Sequence, residues 1–261
     1  MRSCWGTVTP RRRETWLHGR RVAYLEAGAG PPVLIAHGLG LSGAVFRGHC
    51  RALAGAGFRA IAPDLPSFGH SEGPRYGMTV GETAEWLLDF ARALELGSVM
   101  WLGHSLGAQA VMAAAESAPQ RARALVLATP TGAPGRARLL HQAVSFVRDV
   151  DREPLSLIPI VAKQYLRGSL LSFIFSWIKA ARDRPMERAH RIRCPTLIVT
   201  GRRDPVVPKD FVSILCNRIP DARVQRLHGP GHGAVINRSA EFDRIVIDFL
   251  RETVRELRPS A

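Results

Sequence analysis

Lysine is scarce in this chain of 261 residues. Of its 36 Lys+Arg, only Lys163, Lys179 and Lys209 are lysine. Carboxylates are also few, at 22 Asp+Glu, which leaves a formal net charge of +14. A surplus of that size can steer a protein toward nucleic acid or an anionic membrane surface. The arginines are mostly dispersed, however, with one run of three at Arg11-Arg12-Arg13, and no basic stripe interleaved with aromatics appears. A nucleic-acid partner is therefore not expected, and the arginines read as a solvated surface.

Cysteine is sparse too. Cys4, Cys50, Cys194 and Cys216 show neither a C-x-x-C spacing nor a disulfide-dense pattern, which suits a reducing compartment. The opening residues Met1 to Gly6 lack the apolar run of a signal peptide. The richest apolar window, Leu155 to Ala181, is broken by Lys163, Gln164, Arg167 and Lys179, so stable membrane insertion is not expected. A cytoplasmic location follows as the expectation. Overall, 46% hydrophobic and 22% charged residues fit a globular domain large enough to bury a substantial core.

Short apolar runs recur at Val33 to Ala36, Phe58 to Ala62, Ser98 to Leu102, Ala124 to Ala128 and Thr196 to Thr200, each meeting turn-forming residues at its C-terminal end. Near-continuous apolar runs are what strands buried on both faces require. A shorter strand is expected at Val224 to Leu227. Helical periodicity separates the runs: Thr79 to Leu96, the Ala-rich Leu106 to Ser117, and an amphipathic helix over roughly Glu241 to Leu257. The alternation predicts an α/β architecture with a mostly parallel sheet flanked by helices.

One stretch breaks the pattern. From Pro134 to Ile192 there is no strand punctuation, and Leu170 to Ile178 is apolar nearly all round. Such a helix is expected to be buried or to face an apolar ligand. The reading is a core domain of residues 1–133 and 193–261 with a helical cap at 134–192. Phe173 and Trp177, four residues apart on one helix face, are the candidate substrate-binding residues, and that face or the Ile174–Ile178 pair is expected to look toward the nucleophile.

Gly103-His104-Ser105-Leu106-Gly107 is a G-x-S-x-G sequence between an apolar strand and a helix. A strand turning sharply into a helix forces a strained backbone on the serine and exposes its hydroxyl. The bland reading is a Gly-rich turn with a capping serine. A serine nucleophile needs a base held in one tautomer by an acid. Asp204 follows the strand at Thr196 to Thr200, and His232 follows Val224 to Leu227, so the order is Ser, Asp, His at one sheet edge. Asp149 and Asp151 fall in the cap segment and are poorer candidates. The loop Thr129-Pro130-Thr131-Gly132 holds no carboxylate. The oxyanion donors are read as the N–H groups of Leu106 and of Leu39, with Gly40 a close alternative, and His37 is read as a brace for that loop.

Two other patterns are discounted. His228 and His232 are four apart, but Gly229-Pro230-Gly231 forbids the helix that would pair them on a metal, so no metal site is expected. Gly28-Ala29-Gly30 precedes a strand and reads as a turn, not a dinucleotide loop.

Together, His37-Gly38, the segment Pro63-Asp64-Leu65-Pro66-Ser67-Phe68-Gly69-His70-Ser71, the Gly103–Gly107 elbow, Asp204 and His232 resemble the α/β-hydrolase superfamily. That resemblance implies an eight-stranded sheet, a helical cap after the sixth strand, and no cofactor. Gly231 to Asn237 with Glu241-Phe242 also resembles C–C bond hydrolases of ring-cleavage pathways, although those usually carry Asn where this chain has His104. The expected activity is hydrolysis of a small-molecule carboxylic ester with an apolar acyl or alcohol part. A thioester or lactone suits the same residues. A C–C hydrolase would need a cation such as Arg182 or Arg184 reaching its substrate's carboxylate, and a non-catalytic binding protein would have no use for the base and acid.

Overall fold

The computed structural model describes residues 8–132, 170–202, 204, 206–228, 232–233, 235 and 239–256. Its centre is an eight-stranded sheet: β1 (Arg11–Leu17), β2 (Arg20–Ala27), β3 (Pro32–Ala36), β4 (Arg59–Pro63), β5 (Val99–His104), β6 (Ala122–Ala128), β7 (Thr196–Gly201) and β8 (Ala222–Leu227). The spatial order is β1-β2-β4-β3-β5-β6-β7-β8. The β1–β2 and β2–β4 pairs are antiparallel and the others parallel.

Helices α1 (Arg47–Gly55) and α7 (Ser239–Glu256) cover one face, while α2 (Val80–Ala93), α3 (Leu106–Ser117) and α6 (Lys209–Arg218) cover the other. The period of two along each strand sorts its side chains between the layers. Leu34, Trp101, Leu125, Leu127 and Ile198 join the α2–α3–α6 layer; Val33, Ile35, Met100, Leu102, Val126 and Val199 join the α1–α7 layer.

All five apolar runs are strands, and the shorter expected strand at Val224 to Leu227 lies in β8. The turn at Gly28–Gly30 holds, with φ of 79° and 107° at its glycines. Helix α2 starts where Thr79 and Glu82 form a reciprocal capping box.

The β1–β2 hairpin was not expected. Its turn is His18-Gly19, both at positive φ (51° and 71°), as a two-residue hairpin of this twist requires. The arginine run Arg11-Arg12-Arg13 therefore lies on an exposed edge strand. There Arg13 and Arg59 pair with Glu26, and Arg21 with Glu14. Charges along an edge discourage pairing with another chain.

Of the expected cap, residues 134–169, with Asp149 and Asp151, lie outside the described residues. The remainder forms α4 (Leu170–Arg182), α5 (Pro185–Arg188) and a short 3-10 turn. Helix α4 packs contrary to expectation. Its deeply buried side chains are Ser172, Ser176, Ala180 and Ala181, whereas Leu170, Leu171, Ile174 and Phe175 are exposed.

The serines explain the inversion. Ser172 Oγ donates to the carbonyls of Pro74 and Arg75, at 3.1 and 2.9 Å, and Lys179 Nζ donates to Gly77 O at 3.0 Å. Gly77 sits so close that a Cβ there would lie 2.1 Å from Ser176 Oγ. Small polar residues allow that approach and large apolar ones would not. Behind the helix, Asp183 takes both guanidinium nitrogens of Arg188 at 2.7 Å, and Glu116 of α3 pairs with Arg188 and Arg191.

On the opposite layer, His49 of α1 meets Asp243 of α7 at 2.6 Å, with the imidazole 2% exposed between Phe46 and Phe242. Removing the carboxylate strands a buried ring N–H, a loss of about 1–3 kcal/mol. Asp243→Ala should therefore lower the urea midpoint at unchanged slope by an amount in that range, and the double variant His49→Phe/Asp243→Leu should recover most of it. A loss under about 0.5 kcal/mol, the ordinary surface level, would contradict this.

Candidate active site

Sheet order reverses between β3 and β5, so the crevice beyond their C-terminal ends is where an open α/β sheet receives ligands. One residue joins β5 to α3 there. Ser105 adopts φ 55°, ψ −117°, a conformation that costs a residue with a Cβ about 1–3 kcal/mol. Its backbone is pinned on both sides: N donates to Ala128 O and O accepts from Ala108 N, each at 3.0 Å.

The flanking glycines are required by space. A Cβ on Gly103 would lie 2.4 Å from Gly107 O and 2.6 Å from Ala108 Cα; one on Gly107 would lie 2.2 Å from Ala36 O. Although Ser105 occupies the N-cap position, its side chain makes no capping bond. The hydroxyl faces His232 instead, which disposes of the capping-serine reading.

His232 Nε2 lies 3.0 Å from Ser105 Oγ, and its Nδ1 lies 2.9 Å from Asp204 Oδ2. The carboxylate is fixed in turn, because Asp204 Oδ1 accepts the N–H groups of Val206 and Val207 at 2.8 and 3.1 Å. Side-chain exposure is 6% for His232 and 1% for Asp204. A carboxylate on Nδ1 holds the proton there and leaves the Nε2 lone pair toward the serine hydroxyl.

After β3, His37 Nε2 accepts the N–H of Leu65 at 2.8 Å, so Nδ1 carries the proton and donates to Gly38 O at 2.8 Å. Burial pushes the His37 pKa down, in keeping with a neutral brace. Gly38 O also accepts from Leu41 N at 3.2 Å. In a trans peptide the N–H points opposite to the C=O. Holding Gly38 O therefore fixes the direction of the Leu39 N–H. This peptide lies against the elbow, since a Cβ on Gly38 would sit 3.2 Å from Ser105 Cβ. The N–H of Leu106 belongs to the first turn of α3, where the helix itself supplies no acceptor.

Two contributors to this geometry are absent from the sequence-derived set. Asp64 accepts Gly43 N and His70 N at 2.8 Å each, tying the loop after β3 to the Pro63–Ser71 segment. His104 is 4% exposed, with its ring 5.5 Å from that of His232. Burial, with the neighbouring His232 adding to it, pushes its pKa down to about 3, so it stays neutral beside His232. A polar residue closing an otherwise apolar strand was the available signal.

The other expected participants are placed as follows. Phe173 is half-buried and packs on the core layer that includes Leu106; Trp177 is half-buried, and Ile174 is 38% exposed. Arg182 is exposed, and Arg184 is exposed and paired with Glu187. His228 pairs with Glu241 at the start of α7, at 2.5 Å. Among the described residues, no group of three or more His, Cys, Asp or Glu is arranged to hold a metal.

Comparisons with known proteins agree with this architecture. The chain is 30% identical over 265 residues to the polyketide synthase ThaQ of Burkholderia thailandensis, matching 91% of this chain and 12% of that much longer protein. It is 28% identical to a 2-hydroxy-6-oxononadienedioate/2-hydroxy-6-oxononatrienedioate hydrolase of Cupriavidus pinatubonensis, over 88% of this chain and 90% of the relative. A thermophilic esterase from Thermogutta terrifontis superposes with a TM-score of 0.80 at 21% identity, covering 93% of this chain and 99% of the esterase. The family model for the alpha/beta hydrolase fold matches residues 31–182, and one for TAP-like protein matches 175–257. The chain belongs to the α/β-hydrolase family.

Proposed function

We propose that this hydrolase cleaves a carboxylic ester with an apolar acyl or alcohol part through an acyl-enzyme on Ser105. The carrying observation is the continuous chain from Ser105 Oγ through His232 to Asp204, at 3.0 and 2.9 Å. His232 Nε2 takes the hydroxyl proton as Ser105 attacks the carbonyl carbon, and Asp204 stabilises the resulting imidazolium. The N–H groups of Leu39 and Leu106 hold the oxyanion, each worth about 2.7–4 kcal/mol. His232 then protonates the leaving alcohol, and a water activated by the same nitrogen releases the acid. The half-buried Phe173 and Trp177 favour an apolar substituent.

A lactone or thioester would react at the same atoms. The relative from Cupriavidus pinatubonensis raises C–C cleavage as the competing reading. That chemistry acts on a carboxylate-bearing substrate, and the exposure of Arg182 and Arg184 gives it no support.

A panel of p-nitrophenyl esters of rising chain length, run beside a ring-cleavage dienone acid, tests the proposal. Ester turnover should dominate. Ser105→Ala should lower kcat by on the order of 10⁴-fold or more with the fold intact. Faster turnover of the dienone acid, or ordinary ester turnover by the variant, would overturn it.

Asp204→Asn should cost about 10⁴ in kcat, because an amide presents the wrong partner to His232 Nδ1. Retained activity would mean that another carboxylate serves as the acid. Trp177→Ala should shift chain-length preference more than it changes acetate ester turnover. A falling Tm with unchanged preference would instead show that Trp177 only packs the helix.

A further inference from the structure

The net charge of +14 and the inverted packing of α4 are features that ester hydrolysis does not use. Leu171, Ile174, Phe175, Ile178 and Arg182 are spaced i, i+3, i+4, i+7 and i+11, which places them on one face of the helix. Leu171, Ile174 and Phe175 are 37, 38 and 37% exposed, and Tyr76 on the adjoining loop is 53% exposed with its ring edge-on to Phe175 at 5.2 Å. These four are most of the large apolar side chains exposed among the described residues, gathered in one place. Single exposed apolar residues need no explanation, but a gathered set marks a surface for a partner.

Cations border the patch. Helix α4 contains no acidic residue and ends in Lys179 and Arg182. Arg75 lies over the Tyr76 ring at 5.7 Å. Of the nearby carboxylates, Asp183 is occupied by Arg188, and Glu82 is bonded to its own helix cap at Thr79 while feeling Lys179. A helix lying in a membrane interface has this arrangement, apolar side chains reaching the acyl boundary and cations among the headgroups.

We infer that the outward face of α4, with Tyr76 and Arg75, docks the protein peripherally on an anionic lipid bilayer. Apolar side chains enter the interface while Arg75 and Arg182 meet lipid phosphates. No insertion across the membrane is involved.

Flotation of the full chain with phosphatidylglycerol/phosphatidylcholine vesicles tests this, against phosphatidylcholine vesicles alone. Wild-type protein should bind the anionic vesicles at least tenfold more tightly, and 0.5 M NaCl should weaken that binding. Leu171→Ser/Phe175→Ser and, separately, Arg75→Glu/Arg182→Glu should each lose about tenfold in affinity at unchanged Tm. Trp16→Ser, which alters an exposed apolar residue on β1, should bind as wild type.

Three results would overturn the inference. The serine double variant binding as tightly as wild type would mean that diffuse charge alone attracts lipid. Wild-type protein ignoring both vesicles would exclude docking. A wild-type dimer that the serine variant returns to monomer would show that a second copy covers this face.

Discussion

The approach of α3 to β3 sets the geometry of everything around Ser105. Gly107 packs its backbone on the carbonyl of Ala36 and Gly103 packs on Gly107, with no room for a Cβ at either position. To bring the helix that close, the chain must turn within one residue, and Ser105 takes the left-handed backbone that results. The same approach sets the Gly38–Leu39 peptide against the serine. The strained backbone of Ser105 and the placement of the Gly38–Leu39 peptide thus share a single cause.

The surrounding polar groups hold this arrangement in place. Two backbone amides fix Asp204 Oδ1 and leave Oδ2 for His232. Leu65 N–H fixes the His37 tautomer, which fixes Gly38 O. His104 is kept neutral by burial, so it adds no positive charge beside His232. These supports come from the ends of several strands, which is how a rigid sheet can position a site assembled largely from loops.

Much of this was legible in the sequence because central strands buried on both faces must be apolar throughout, as in Met100-Trp101-Leu102. Turn residues at their ends placed Ser105, Asp204 and His232 at one edge. The hairpin was not legible, since Arg11 to Leu17 sits on an exposed edge where burial imposes no apolar pattern. The exposed face of helix α4 was not legible either. Its composition promised apolar burial, but Ser172 donates to the carbonyls of Pro74 and Arg75, and Gly77 packs closely on Ser176. A neutral, packed role for His104 needed its three-dimensional neighbours.

The central claim is that Ser105 is a nucleophile activated by His232, and a covalent probe reads this without knowledge of the substrate. Incubation with a fluorophosphonate followed by peptide mass spectrometry should find one adduct, on Ser105, formed quickly by wild-type protein and slowed at least a hundredfold in His232→Ala, within the range that general-base catalysis provides. An adduct on another residue, or labelling of Ser105 at the wild-type rate without His232, would contradict the account.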